Sequence, residues 1–128
     1  MFEIDADKTI HLTRGDYAQI EIRTADKQTG SDYVFKAGDV VRLTVCKKGD
    51  YGTVMLQKDV VISGDTTVVD MVLSSEDTKI GEVINKPREY WYEVELNPDT
   101  ASQTTIGHDK DGAKKLMLYP EGCDENGR

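Results

Sequence analysis

The residues that could carry chemistry are few and widely spaced. His11 and His108 each fall in or at the end of a predicted strand, with no metal-ligating neighbour at short spacing. Solvent-facing strand positions account for them better than a metal centre does. Asp109-Lys110-Asp111-Gly112 opens like a calcium loop, but Ala113, Lys114 and Lys115 follow, and two of these repel a cation. A hairpin turn is the better reading of that stretch. Glu93 and Glu95 share one strand face at about 7 Å by strand rise. Carboxylates at that separation serve glycoside hydrolysis, yet any solvated strand face looks the same. Cys46 and Cys123 form neither a metal-binding pair nor a Cys-x-x-Cys redox motif. Both are expected as free thiols.

The standard catalytic signatures do not occur in the chain. It lacks a phosphate loop, a Gly-x-Gly-x-x-Gly turn, a His-Glu-x-x-His pair and a Gly-x-Ser-x-Gly elbow. Arg14-Gly15-Asp16 spells an adhesive tripeptide directly before a strand. There Gly15 more simply supplies a turn, with Asp16 bonding to nearby backbone. No catalytic, cofactor-binding or metal residue is therefore assigned. Trp91 is the leading contact residue, because alternation sets it opposite the Tyr90/Tyr92 face, where an indole can anchor a partner. Tyr33 and Tyr51, in loops, are the other candidate contacts.

These side chains must be positioned by strands. Val, Ile and Thr number 32, more than twice the count of Ala and Leu together. β-Branched side chains suit a pleated, half-buried surface. Apolar residues alternate at Ala18, Ile20 and Ile22, at Val41, Leu43 and Val45, and at Val69, Met71 and Leu73. They alternate again at Tyr90, Tyr92, Val94 and Leu96. Val54 to Ile62 holds one or two strands, and Thr104–Gly107 and Lys115–Tyr119 flank the predicted hairpin turn. At most one short helical turn is expected, near Ser74–Ile80, where Ser75-Glu76-Asp77 can cap it. Seven to nine short strands with one buried face each predict an all-β fold, an antiparallel β-sandwich, with a closed barrel second.

Bulk properties narrow the function classes. The chain has 128 residues and a formal charge of -8, which predicts one domain over residues 1–122 and a frayed polar tail over 123–128. A sequence pI near 4.7 argues against a general nucleic-acid binder. No apolar run reaches the ~18 residues of a membrane span. Met1-Phe2-Glu3-Ile4-Asp5 lacks the basic and apolar regions of a secretory signal, so synthesis in a bacterial cytoplasm is expected.

Several segments together resemble a known family. Ile10-His11-Leu12-Thr13-Arg14-Gly15-Asp16 precedes an alternating strand, and Phe35-Lys36-Ala37-Gly38-Asp39 leads into Val40-Val41-Arg42-Leu43-Thr44-Val45. Leu73-Ser74-Ser75-Glu76-Asp77-Thr78, Tyr90-Trp91-Tyr92-Glu93-Val94-Glu95-Leu96 and Leu118-Tyr119-Pro120-Glu121-Gly122 follow. This order, over residues 8–122, resembles the immunoglobulin-like domains of phage tail and baseplate proteins, in particular the N-terminal domain of the baseplate upper protein family. The resemblance implies an immunoglobulin-like sandwich without catalytic residues or cofactor, located in the virion and docked on tail or baseplate proteins. Self-association is a further expectation. The chain ends soon after the sandwich, which favours a small accessory or adaptor subunit over a scaffold. The alternative is a carbohydrate- or cell-surface-binding module using Trp91, Tyr33 and Tyr51 as stacking platforms. A small hydrolase using face carboxylates ranks third.

Overall fold

A computed structural model describes residues 1–26, 28–106 and 114–121. The fold is all-β, with strands β1 (Phe2–Ile4), β2 (Ile10–Thr13), β3 (Ala18–Ile22), β4 (Val40–Lys47), β5 (Asp50–Val61), β6 (Val69–Leu73), β7 (Arg88–Leu96), β8 (Thr104–Ile106) and β9 (Lys114–Tyr119). Among the described residues there is no helix. The segment expected to be helical is a single turn. Thr78 N–H donates to the Ser74 carbonyl at 3.2 Å. Ser74 N–H donates to Asp77 Oδ2 at 2.9 Å, and Asp77 N–H donates to Ser74 Oγ at 3.2 Å. That reciprocal pair is a capping box with one turn behind it.

Seven strands form one sheet in the order β1-β2-β9-β7-β4-β5, with β8 also paired to β7; β3 and β6 form a second sheet. The apolar positions of both sheets are buried together in one core that includes Ile20, Met71, Leu43, Val45, Tyr92 and Leu116. The inward residues are those that alternation picked out: β3 and β6 bury every second side chain, and β7 buries Tyr90, Tyr92, Val94 and Leu96. Phe35, with no exposed surface, closes the core beneath the β3–β4 loop, whose backbone is tied to Thr66 at 2.7 and 3.1 Å.

Two features of the pairing depart from expectation. The large sheet is mixed, because β2 runs parallel to β9, with Ile10 opposite Leu116 and Leu12 opposite Leu118. Every other strand pair is antiparallel. A parallel pair needs a long crossover rather than a turn, and here the chain between β2 and β9 builds most of the molecule.

The second departure concerns the predicted hairpin. The residues of its turn, Asp109 to Gly112, lie outside the described residues, as do His108, Cys123 and the 123–128 tail. The flanking strands are described, and they do not pair with each other. β8 takes Val94 to Leu96 of β7 and β9 takes Arg88 to Tyr92, both antiparallel to β7. Since β4 occupies the other side of β7 along Tyr90–Leu96, β8 and β9 lie end to end on one side of it. The two strands run in the same direction. The long β7 offers both runs a partner, which a turn signal read locally does not reveal.

Candidate interaction surface

The side of the large sheet facing away from the core presents Glu89, Trp91, Glu93 and Glu95 from β7 and Arg42, Thr44 and Cys46 from β4. Residues directly opposite on neighbouring strands share a face. The register therefore sets Lys115, Trp91, Cys46 and Val54 in one row across four strands. Trp91 is half-buried on this outward face, and its indole N–H donates to Glu89 Oε2 at 3.0 Å. Cys46, within the row, is buried with its thiol on the Trp91 carbonyl at 3.5 Å. Burial, followed by the nearby Glu93 and Asp50 carboxylates, pushes that thiol's pKa up, away from reactive thiolate.

Tyr51 reaches this row because β5 is irregular. Val45 lies opposite Leu56, but Cys46 lies opposite Val54 and Lys47 opposite Asp50, so β5 carries extra residues against β4. Such bulges re-aim side chains. Asp50 holds this one in shape: Oδ1 accepts Gly52 N–H at 3.0 Å and Oδ2 accepts the Thr53 hydroxyl at 2.6 Å. Those two bonds keep the Asp50 carboxyl below its ordinary pKa, Thr53 contributing most. The Tyr51 ring, 51% exposed, then lies 5.4 Å from Trp91 between centroids at 49°. Burial raises the Tyr51 phenol, with Cys46 and Glu93 adding to the shift. Val54, 50% exposed, extends the patch.

Tyr33, the third expected contact, belongs elsewhere. Its ring meets Phe35 edge-on at 5.1 Å and its hydroxyl donates to Asp39 Oδ2 at 3.2 Å. Burial and then Asp39 raise its pKa. This tyrosine roofs the core. Asp39 in turn accepts Lys36 N–H at 2.9 Å and the Asn97 amide at 3.2 Å. Burial is the largest single influence on Asp39 and pushes it upward, but these bonds together pull its pKa below the ordinary value.

The remaining chemical candidates lie apart from the Trp91 row, and most make contacts within the fold. His11 bridges two groups, Nδ1 pairing with the Tyr119 hydroxyl and Nε2 with Asp5 Oδ2, each at 2.7 Å. Glu93 and Glu95 lie side by side on the open face, and the Glu95 pKa is raised by burial and then by Glu93. In Arg14-Gly15-Asp16 the arginine is 8% exposed, so it is not presented to a receptor. Its Nη1 holds Glu121 at 2.9 Å and its Nη2 donates to the Gly81 carbonyl at 3.0 Å. Gly15 has φ 88°, the turn conformation expected of it. The Asp16 carboxylate pairs with the Met1 ammonium rather than with nearby backbone. Among the described residues, no group of three or more His, Cys, Asp and Glu is placed to hold a metal ion.

A cleft of about 210 Å3 opens beside β3, with Ile10, Ile20, Ile22 and Leu43 in its wall and Lys8, Glu21 and Arg23 also lining it. Its apolar wall is continuous with the core. Missing from the sequence reading were Val54, the Glu89 hold on Trp91, and the bulge that carries Tyr51. Gly52 inside a strand pattern was the available sign of that bulge.

No family model, curated protein or solved structure matches the chain.

Proposed function

We propose that the protein is a non-catalytic assembly module of a phage tail or baseplate, docking on other virion proteins through the outward face of β4, β5 and β7. The observation that carries the docking role is the contact between half-buried Trp91 and exposed Tyr51 on the outward strand face, extended by Val54. Aromatic side chains that bring large area at low entropic cost are the usual anchors of protein interfaces. The resemblance carried by the order of sequence segments over residues 8–122 supports the virion setting. A glycan platform would use the same pair, but rings tilted by 49° form a wedge rather than a flat stacking surface, which favours a protein partner.

Trp91 is the only tryptophan in the chain, so its fluorescence reports this face directly. Purified protein titrated with intact tails of the phage whose genome encodes it should shift the Trp91 emission and co-sediment with the tails. Tyr51→Ala should weaken co-sedimentation at least tenfold while leaving the circular dichroism unchanged. Absence of binding to tails, or binding untouched by Tyr51→Ala and Trp91→Ala, overturns the reading. An emission shift on a glycan panel instead would favour the carbohydrate alternative.

A further inference from the structure

β5 is the last strand of the large sheet, and among the described residues no strand pairs with its far side. It is twelve residues long, whereas β1, at the opposite edge, has three. Alternation identifies its unused backbone groups. The Ile62 N–H donates to the Asp39 carbonyl at 2.8 Å. Val40 turns both of its groups the other way, its N–H to Asn97 Oδ1 at 2.9 Å and its carbonyl to Asn97 N–H at 2.7 Å. In an antiparallel ladder, residues that direct both groups to one neighbour alternate with residues that direct both away. Leu56, Lys58 and Val60 therefore bond to β4 in the regular part of the register, opposite Val45, Leu43 and Val41. Gln57, Asp59 and Val61 aim their N–H and C=O groups off the sheet.

The bulge beside Tyr51 guards the first part of β5, but the regular stretch from Leu56 to Val61 lacks the usual guards of an edge strand. Protective devices include proline, free lysine and short length. β5 has no proline. Its one lysine, Lys58, is tied to Asp77 at 3.0 Å, and Asp59 is held by Arg42 at 2.7 Å. The regular half of the strand is thus charge-compensated within its own chain, while the chain as a whole carries -8.

We propose that this edge pairs with the same edge of a second copy, antiparallel across a two-fold axis, joining the two large sheets into one. Two features point to a copy rather than an unrelated chain. Identical antiparallel edges meet isologously, so each supplies what the other lacks. Two chains of like charge approach most easily along a compensated seam, and this edge is one. Three free residues per strand give hydrogen-bonded pairs that exchange two bonds each. The inference goes beyond the tail-module reading and does not depend on it.

Light scattering coupled to size exclusion, run from micromolar to millimolar protein, tests it. The expected mass is twice 14.3 kDa at high concentration. The amides of Gln57, Asp59 and Val61 should exchange roughly tenfold or more slowly as the dimer fills. Gln57→Pro removes an N–H with no strand partner among the described residues, so it should leave the far-ultraviolet circular dichroism intact and hold the mass at 14.3 kDa. Val61→Lys, at a position 67% exposed, should also give the monomer and decides the matter if the proline variant fails to fold. A mass of 14.3 kDa for the native chain at every concentration overturns the proposal. So does a dimer that persists in Val61→Lys with those three amides exchanging fast.

Discussion

Thr78, with no exposed surface, donates its hydroxyl to the Asp16 carbonyl at 2.8 Å and accepts the Gly15 N–H at 3.0 Å. One side chain thereby fastens the Ser74–Thr78 turn to the loop between β2 and β3, at the rim where both sheets end. Thr78→Val keeps the shape and removes both bonds. Leaving this half-buried donor and acceptor without their hydroxyl partner costs about 1 to 2 kcal/mol. Urea unfolding should show a lower midpoint with an unchanged slope. A loss under about 0.5 kcal/mol would mean that water takes over both groups.

Arg14 clamps the same rim from the other side. Besides its ion pair with Glu121, it donates to the carbonyls of Ile80 at 3.4 Å and Gly81 at 3.0 Å. A guanidinium can serve several acceptors in one plane, which an ammonium cannot. Arg14→Lys should therefore recover only part of the stability lost in Arg14→Ala, where breaking a largely buried pair costs about 3 kcal/mol. Thermal melts of the two variants, measured side by side, check the order. Full rescue by lysine would show that charge alone matters at this position.

What could be read in advance, and what could not, follows from the range of each signal. The buried faces of β4 and β7 were legible because Val41, Leu43 and Val45, or Tyr90, Tyr92, Val94 and Leu96, repeat every second residue, a purely local pattern. Partner choice is not local. Nothing in Ile10-His11-Leu12-Thr13 says that it will run parallel to Lys114–Tyr119 more than a hundred residues later. Asp109-Lys110-Asp111-Gly112 marks a loop whichever way the chain continues afterwards, so the end-to-end placement of β8 and β9 was invisible. Of the expected contacts, Trp91 was set outward correctly by alternation. Tyr51 joined it through a bulge, and Tyr33 was drawn to Phe35 because the loop bearing it crosses the core's open end.

Gly81 follows the carbonyl that Arg14 Nε holds, with φ 64°. A Cβ there would lie 2.7 Å from the Tyr90 hydroxyl and 3.4 Å from Met55 Cε. Tyr90 is 3% exposed, so its ring has little room to retreat. Gly81→Ala combines a left-handed backbone penalty of about 1 to 2 kcal/mol with that overlap. Gly38 has φ 93° and open space where an alanine methyl would stand, so Gly38→Ala carries the backbone penalty alone. Gly81→Ala should be the more destabilising of the two, and adding Tyr90→Phe should restore part of the difference. Additive losses in the double variant would place the strain elsewhere.

Tyr92 gives the fold an alkaline limit. Its hydroxyl donates to the Lys8 carbonyl at 2.6 Å from a side chain in the core cluster. Burial, with a smaller effect from Asp7, pushes its pKa up to about 12. A phenol raised above its unfolded value is protonated more readily in the folded chain. Its contribution is thus complete below pH ~10 and drains away between ~10 and ~12 as the unfolded chain ionises first. A shift of this size corresponds to roughly 2 to 3 kcal/mol across that window. At neutral pH, Tyr92→Phe should cost about 1 kcal/mol, the worth of the lost hydrogen bond. Above pH ~10 the gap should close and then reverse, because phenylalanine has no proton to lose. Tyr33 and Tyr51 are also raised, but both are common to the two proteins and cancel in the difference. Urea titrations of the native chain and the variant at neutral and alkaline pH measure that difference directly. A gap that stays constant up to pH ~12 would mean that Tyr92 ionises in the folded state as easily as in the unfolded one.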